Sequence, residues 1–171
     1  RPAKPPPTEY PVDISLEEAH KGAVRLVGLP GGRRLEVKIS AGVYNGSKIH
    51  FAPDGGSEGE FSLVVSIKDH PRFRRQGRDL YTEVETPLED AVLGSDLAVT
   101  TLTGRLALTI PPETQNGRRF RLAGQGMPVL NEPDVKGDLY ATIKVTLPTD
   151  LSPEEQELFL RFKELRAGKG S

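Results

Sequence analysis

The sequence predicts a mainly β protein: two tandem copies of one small β-sandwich with single-turn helices, then a C-terminal α-helix. Three observations predict it. Apolar and polar residues alternate at period two over most of the chain, turns rich in glycine and asparagine separate those runs, and runs and turns recur together at a fixed offset.

Residues 1–8, with Pro2, Pro5, Pro6 and Pro7, read as a linker at the edge of a longer protein. Tyr10, Val12 and Ile14 then mark a first strand, and Leu16 to His20 a single helical turn. In Val24-Arg25-Leu26-Val27 apolar residues fall on both faces, so the inward face of that strand stays open. Leu35, Val37 and Ile39 alternate with Glu36 and Lys38 as a half-buried strand does. Ile49-Phe51 and Phe61-Leu63-Val65-Ile67 continue the pattern. Later come Leu106-Leu108-Ile110, Phe120-Leu122 and Leu139-Ala141-Ile143-Val145-Leu147. Asn45-Gly46, Asp54-Gly55-Gly56, Asn116-Gly117 and Gly124-Gln125-Gly126 supply the reversals.

Repetition organises these elements. Ser15-Leu16-Glu17-Glu18-Ala19 reappears as Pro87-Leu88-Glu89-Asp90-Ala91, followed by Gly22 and Gly94. Asn45-Gly46 matches Asn116-Gly117, and Gly59-Glu60-Phe61 matches Gly137-Asp138-Leu139. The offset is about 71 to 72 residues and rises to about 78 at the last block, so the second copy carries an insertion before it. The expected organisation is a linker over 1–8, a first sandwich over 9–76, a second over 77–150 and a helix over 151–168. That helix opens on a capping box with proline at its first position, Ser152-Pro153-Glu154-Glu155, and carries Leu158, Phe159, Phe162 and Leu165 on one face. Gly168 is expected to end it.

Composition narrows the function. With 23 basic against 24 acidic residues the chain lacks the basic excess of a general nucleic-acid binder. No cysteine is present, which removes disulfides, thiolate zinc sites and a cysteine nucleophile, and suits a reducing, cytoplasmic setting. No apolar run approaches the roughly 20 residues that span a bilayer, so no membrane partner is expected. His20, His50 and His70 lack metal-ligand spacing, no serine sits in a nucleophile elbow, and the carboxylate pairs open short helices, where the dipole favours them. The expectation is no enzyme, no metal and no cofactor. Arg72, Arg74, Arg75 and Arg78 cluster, as do Arg118, Arg119 and Arg121. They read as a solvated face, with an acidic partner tail or DNA phosphates as the alternative.

Several blocks, in order, resemble the C-terminal domains of DnaJ-family co-chaperones. They are Ser15-Leu16-Glu17-Glu18-Ala19, Asp69-His70-Pro71-Arg72-Phe73 leading to Gly77-Arg78-Asp79-Leu80-Tyr81, Pro87 to Gly94, Gly124-Gln125-Gly126-Met127-Pro128 and Gly137-Asp138-Leu139. The resemblance covers Glu9 to about Leu165 and, with no cysteine, points to the zinc-free class, which includes curved-DNA-binding relatives. The family's J-domain uses His-Pro-Asp to stimulate its partner DnaK, whereas here His70-Pro71 is followed by Arg72. The resemblance implies capture of unfolded client polypeptide for a DnaK-type chaperone and a homodimer built by Leu158, Phe159, Phe162 and Leu165. A helix folded back on its own second sandwich is the alternative, and DNA binding is a less favoured function.

The resemblance also places an apolar client groove in the first copy, at Tyr10, Val12, Val27, Leu29 and Leu63. The repeat agrees on the copy: Tyr10, Val12 and Ile14 correspond to Thr82, Val84 and Thr86, and Leu63 to Ala141, so the second copy is smaller and more polar there.

Overall fold

The computed structural model describes residues 8–28, 32, 34–51 and 61–170. The first repeat comprises β1 (Thr8–Ile14), α1 (Leu16–Lys21), β2 (Ala23–Gly28), β3 (Arg34–Ile39), β4 (Lys48–Phe51) and β5 (Phe61–Ile67). β5 lies between parallel β1 and antiparallel β4, while β2 and β3 form a separate hairpin. Its central place explains why Ser62 is buried beside Phe61 and Leu63. The Ser62 hydroxyl is satisfied by His50 Nδ1 at 2.7 Å.

The second repeat comprises β6 (Arg74–Gln76), β7 (Asp79–Pro87), α2 (Leu88–Leu93), β8 (Ser95–Thr101), β9 (Gly104–Ile110), β10 (Arg119–Leu122), β11 (Pro128–Val129), β12 (Glu132–Lys136) and β13 (Leu139–Thr146). Its main sheet runs β10-β13-β7-β6, with β8-β9 as the opposing hairpin. Arg74 to Gln76 thus pair into the second sheet, against Tyr81 to Asp79.

The two copies reuse the same backbone bonds. Gly22 N–H donates to Glu18 O at 2.8 Å, as Gly94 does to Asp90 O at 2.9 Å. Gly46 N–H reaches Val65 O and Gly117 N–H reaches Ile143 O, both at 2.7 Å. Both of these turn glycines sit at positive φ, 90° and 86°, where a Cβ would be strained. The preceding asparagines brace the turns, with Asn45 Oδ1 accepting from Ile67 N–H and Asn116 Oδ1 from Val145 N–H. The caps differ: Ser15 makes a full capping box on α1, while Pro87 gives α2 no side-chain cap. The half of the repeat match that rests on Gly59 and Glu60 lies outside the described residues.

The insertion seen in the repeat offset is the β11–β12 hairpin, and it joins the copies. Gly42 of the first repeat packs so closely on it that a Cβ would stand 2.7 Å from Pro128 O and Leu130 N. The Arg75 guanidinium donates across the same joint to the carbonyls of Val43 (2.6 Å) and Gly42 (3.3 Å) and lies over the Tyr44 ring. One continuous apolar core therefore runs through both repeats, from Val12 to Ile143.

α3 (Pro153–Lys169) has the expected capping box at Ser152 and Glu155 but continues through Gly168. It has no buried residue, so it does not fold back on the second sandwich. Leu160 lies off the stripe of Leu158, Phe159, Phe162 and Leu165, and all five are exposed. No helix among the described residues is long and apolar enough to cross a membrane.

Candidate functional site

The first-repeat residues divide by depth. In the β1–β5 ladder Tyr10 lies opposite Leu63, and Val12 opposite Val65. Alternate positions on one strand and their register partners share a face, and here that face is the interior. Leu63 is 0% exposed and Val12 9%, so neither offers its side chain to solvent. This corrects the expectation that both would line an open groove. Tyr10 and Val27 are half-buried at the margin of the core, and Leu29 lies outside the described residues. Inward-facing Val27, beside exposed Val24 and Leu26, settles the parity that the sequence left open. The Tyr10 ring meets Phe61 edge-on at 6.1 Å and Phe61 stacks on Phe51 at 5.6 Å, which gives this end of the sandwich an aromatic cluster. Among the described residues β1 pairs only with β5 and β2 only with β3, so each keeps one unpaired edge.

The second repeat holds a cleft at the equivalent place. Its volume is about 1010 Å³, and its walls include Thr82 to Glu85 of β7 and Ala98 to Thr100 of β8. Tyr10, Val12 and Val27 correspond in the repeat to Thr82, Val84 and Val99, and all three line it. The smaller side chains leave the space open. β6 covers β7 only at Asp79 to Tyr81, which leaves the edge from Thr82 onward free along the cleft. The rim is charged, with Arg72, Arg74 and Arg119 against Glu83 and Glu85. Sequence reasoning favoured the first copy and missed this cleft; the signal was present in the smallness of Thr82 and Ala98.

Beyond Arg72, Arg74 and Arg119 on that rim, the two arginine clusters make separate contacts. Arg75 enters the joint, Arg118 lies over Phe120, Arg119 lies over the stacked Tyr81 and Tyr140 rings, and Arg121 faces Asp138 at 3.7 Å. The three histidines likewise go to separate surroundings. His70 Nδ1 accepts from Arg72 N–H at 3.0 Å, so its Nε2–H donates to Glu17 at 2.6 Å, and the ring packs 4.9 Å from Phe73. His20 is buried under the joint, its Nδ1 without a partner.

The glycine motifs around Gly126 and Gly137 form a structural knot. Met127 N–H donates to Arg78 O at 2.7 Å, Gly137 N–H to Met127 O at 3.0 Å and Leu80 N–H to Asp138 O at 2.9 Å. Met127 is fully buried at the centre. These blocks close the second sandwich; they do not line a groove.

The model for the DnaJ C terminal domain matches residues 8–148. This chain belongs to the DnaJ family and carries its C-terminal region. It is 40% identical to chaperone protein DnaJ 2 of Thermus thermophilus over 154 residues, which cover 88% of this chain and 54% of that protein. It is 35% identical to chaperone protein DnaJ of Deinococcus proteolyticus over 92% of this chain and 50% of that protein. For chaperone protein DnaJ 2 of Synechocystis the identity is 34%, over 95% and 53%. The chain thus spans about half the length of these curated relatives.

Proposed function

We propose that this chain captures extended, non-native polypeptide at the margin of the first sandwich, between the unpaired edges of β1 and β2, for a DnaK-type chaperone. One observation carries the reading: among the described residues two unpaired strand edges accompany a half-buried apolar set, Tyr10, Val27, Leu35 and Phe51, in a chain of the DnaJ family. A free edge supplies backbone hydrogen bonds to an added strand, and neighbouring apolar side chains take up alternate side chains of that strand. Tyr10 and Val27 are the contacts. Val12 and Leu63 support them from beneath. The charged second-repeat cleft is a further contact surface for longer clients.

Magnitudes suit a capture that must be reversible. Each client side chain buried contributes about 1.5 to 3 kcal/mol. Ordering the client offsets much of this. The balance is on the micromolar scale, about 8 kcal/mol. The cytoplasm, where DnaK-type partners work, is the proposed location. A second copy of this chain is the proposed partner of α3.

Aggregation suppression of a heat-unfolded client tests the groove. Tyr10→Ala and Val27→Asp, each with wild-type circular dichroism, are expected to weaken suppression roughly tenfold, the equivalent of about 1.4 kcal/mol. Undiminished suppression by both folded variants would remove the groove from the first repeat. A charge at Val12 or Leu63 is no test, because it unfolds the core.

A further inference from the structure

The direction of the backbone along β1 fixes what its free edge can offer. Lys68 N–H donates to Ile14 O at 2.9 Å, and Ile14 is the register partner of Ile67. In a parallel pair one residue turns both its N–H and its C=O toward the same neighbour, and the next residue turns both away. Ile14, Val12 and Tyr10 therefore face β5 with their backbones, and Asp13, Pro11 and Glu9 face the open edge. Their side chains are exposed as well. Proline has no N–H, so the middle position of this edge lacks its donor. The ring also occupies the space that an incoming carbonyl would take.

The equivalent residue in the second repeat is Glu83, which keeps its N–H on the free edge of β7. There the edge carries charge instead, with Glu83 and Glu85 at alternate positions and Lys144 4.0 Å from Glu83. Proline and charge are two separate ways of keeping an edge from pairing with other chains. β2, across the first-repeat groove, contains no proline between Ala23 and Gly28.

We infer that Pro11 bars the free edge of β1 from accepting an added strand, whether from a client or from another copy of this chain. The client half of this inference rests on the proposed groove; the self-association half does not. Pro11→Ala restores the N–H alone, and Pro11→Thr restores it with a strand-favouring side chain.

Two measurements on the full chain decide it. The first is mass in solution by sedimentation; each folded variant is expected to show a concentration-dependent species larger than any formed by wild type. The second is photo-crosslinking to a synthetic leucine-rich heptapeptide. Wild type is expected to crosslink within Ala23–Gly28 only, and the variants within Thr8–Ile14 as well. Variants with wild-type melting, mass and crosslinks would overturn the inference, as would wild-type crosslinks shared equally between β1 and β2. If wild type captures no peptide at the first repeat, the groove reading fails and the mass comparison alone decides the role of Pro11.

Discussion

At the scale of the residue, burial without a partner has consequences that can be measured. His20 sits on α1 under the joint, where its repeat counterpart Val92 is exposed on α2. Burial holds its pKa below the usual histidine value, and Lys136 and then Lys21 push the same way, with only the Gly126 backbone opposing them. No carboxylate is among the groups that act on it. The folded state therefore refuses a proton that the opened chain accepts. Above the ordinary value of about 6.5 both states hold a neutral ring and the pH-dependent cost vanishes. Stability falls as the pH drops below that value, by at most about 1.4 kcal/mol per unit. Urea midpoints at pH 7.5 and pH 5.5 should differ in wild type and differ less in His20→Val; equal differences would show that His20 is not the source. Gly137 is constrained by space instead, since a Cβ there would collide with the Arg78 carbonyl. Gly137→Ala should destabilise by about 3 kcal/mol or more, read from the melting curve. Sequence reasoning found Gly137 through the repeat and through family resemblance, but neither could say whether the motif binds or braces. Leu63 was misread for a related reason: period two reports which residues share a face, and only the packed partner decides whether that face is the interior.

At the scale of the element, legibility follows locality. The capping box at Ser152, the turn of α1 and the Asn-Gly reversals were all readable because each is fixed within four residues by caps or by positive φ. The limits of α3 were less so: Gly168 stays helical because a helix end has no obligation at any single glycine. The β11–β12 hairpin was visible only as a jump in the repeat offset. Its docking on Gly42, and the passage of Arg75 to the Val43 carbonyl, are contacts between distant segments with no periodic signature. The same holds for the second-repeat cleft, which arises where β6 stops short of Thr82 and leaves the rest of β7 uncovered.

At the scale of the whole molecule, two sandwiches that share one apolar core end in a helix with no buried residue. α3 has 17 residues and exposes Leu158, Phe159, Leu160, Phe162 and Leu165. Helices in proteins draw most of their stability from packing an apolar face rather than from propensity, so large apolar side chains left on its surface are a reason to find cover. A second copy supplies that cover, since two such helices can bury one another's stripes, and it also brings a second client groove within reach of one polypeptide. The gain would come through effective concentration, with no new contact to the client, and can reach about 10²-fold. A chain ending at Thr149 separates this from the groove itself. With α3 as the proposed dimer contact, this shorter chain should sediment as a monomer and the full chain as a dimer, and it should stay folded because the apolar core runs from Val12 to Ile143 and includes no residue of α3. Its sandwiches should therefore melt as before. Its affinity for a short peptide should be unchanged, while its suppression of aggregation by a long client should weaken. Equal mass for the two chains would leave α3 without its proposed partner, and an equal loss for short and long clients would place the capture site on the helix.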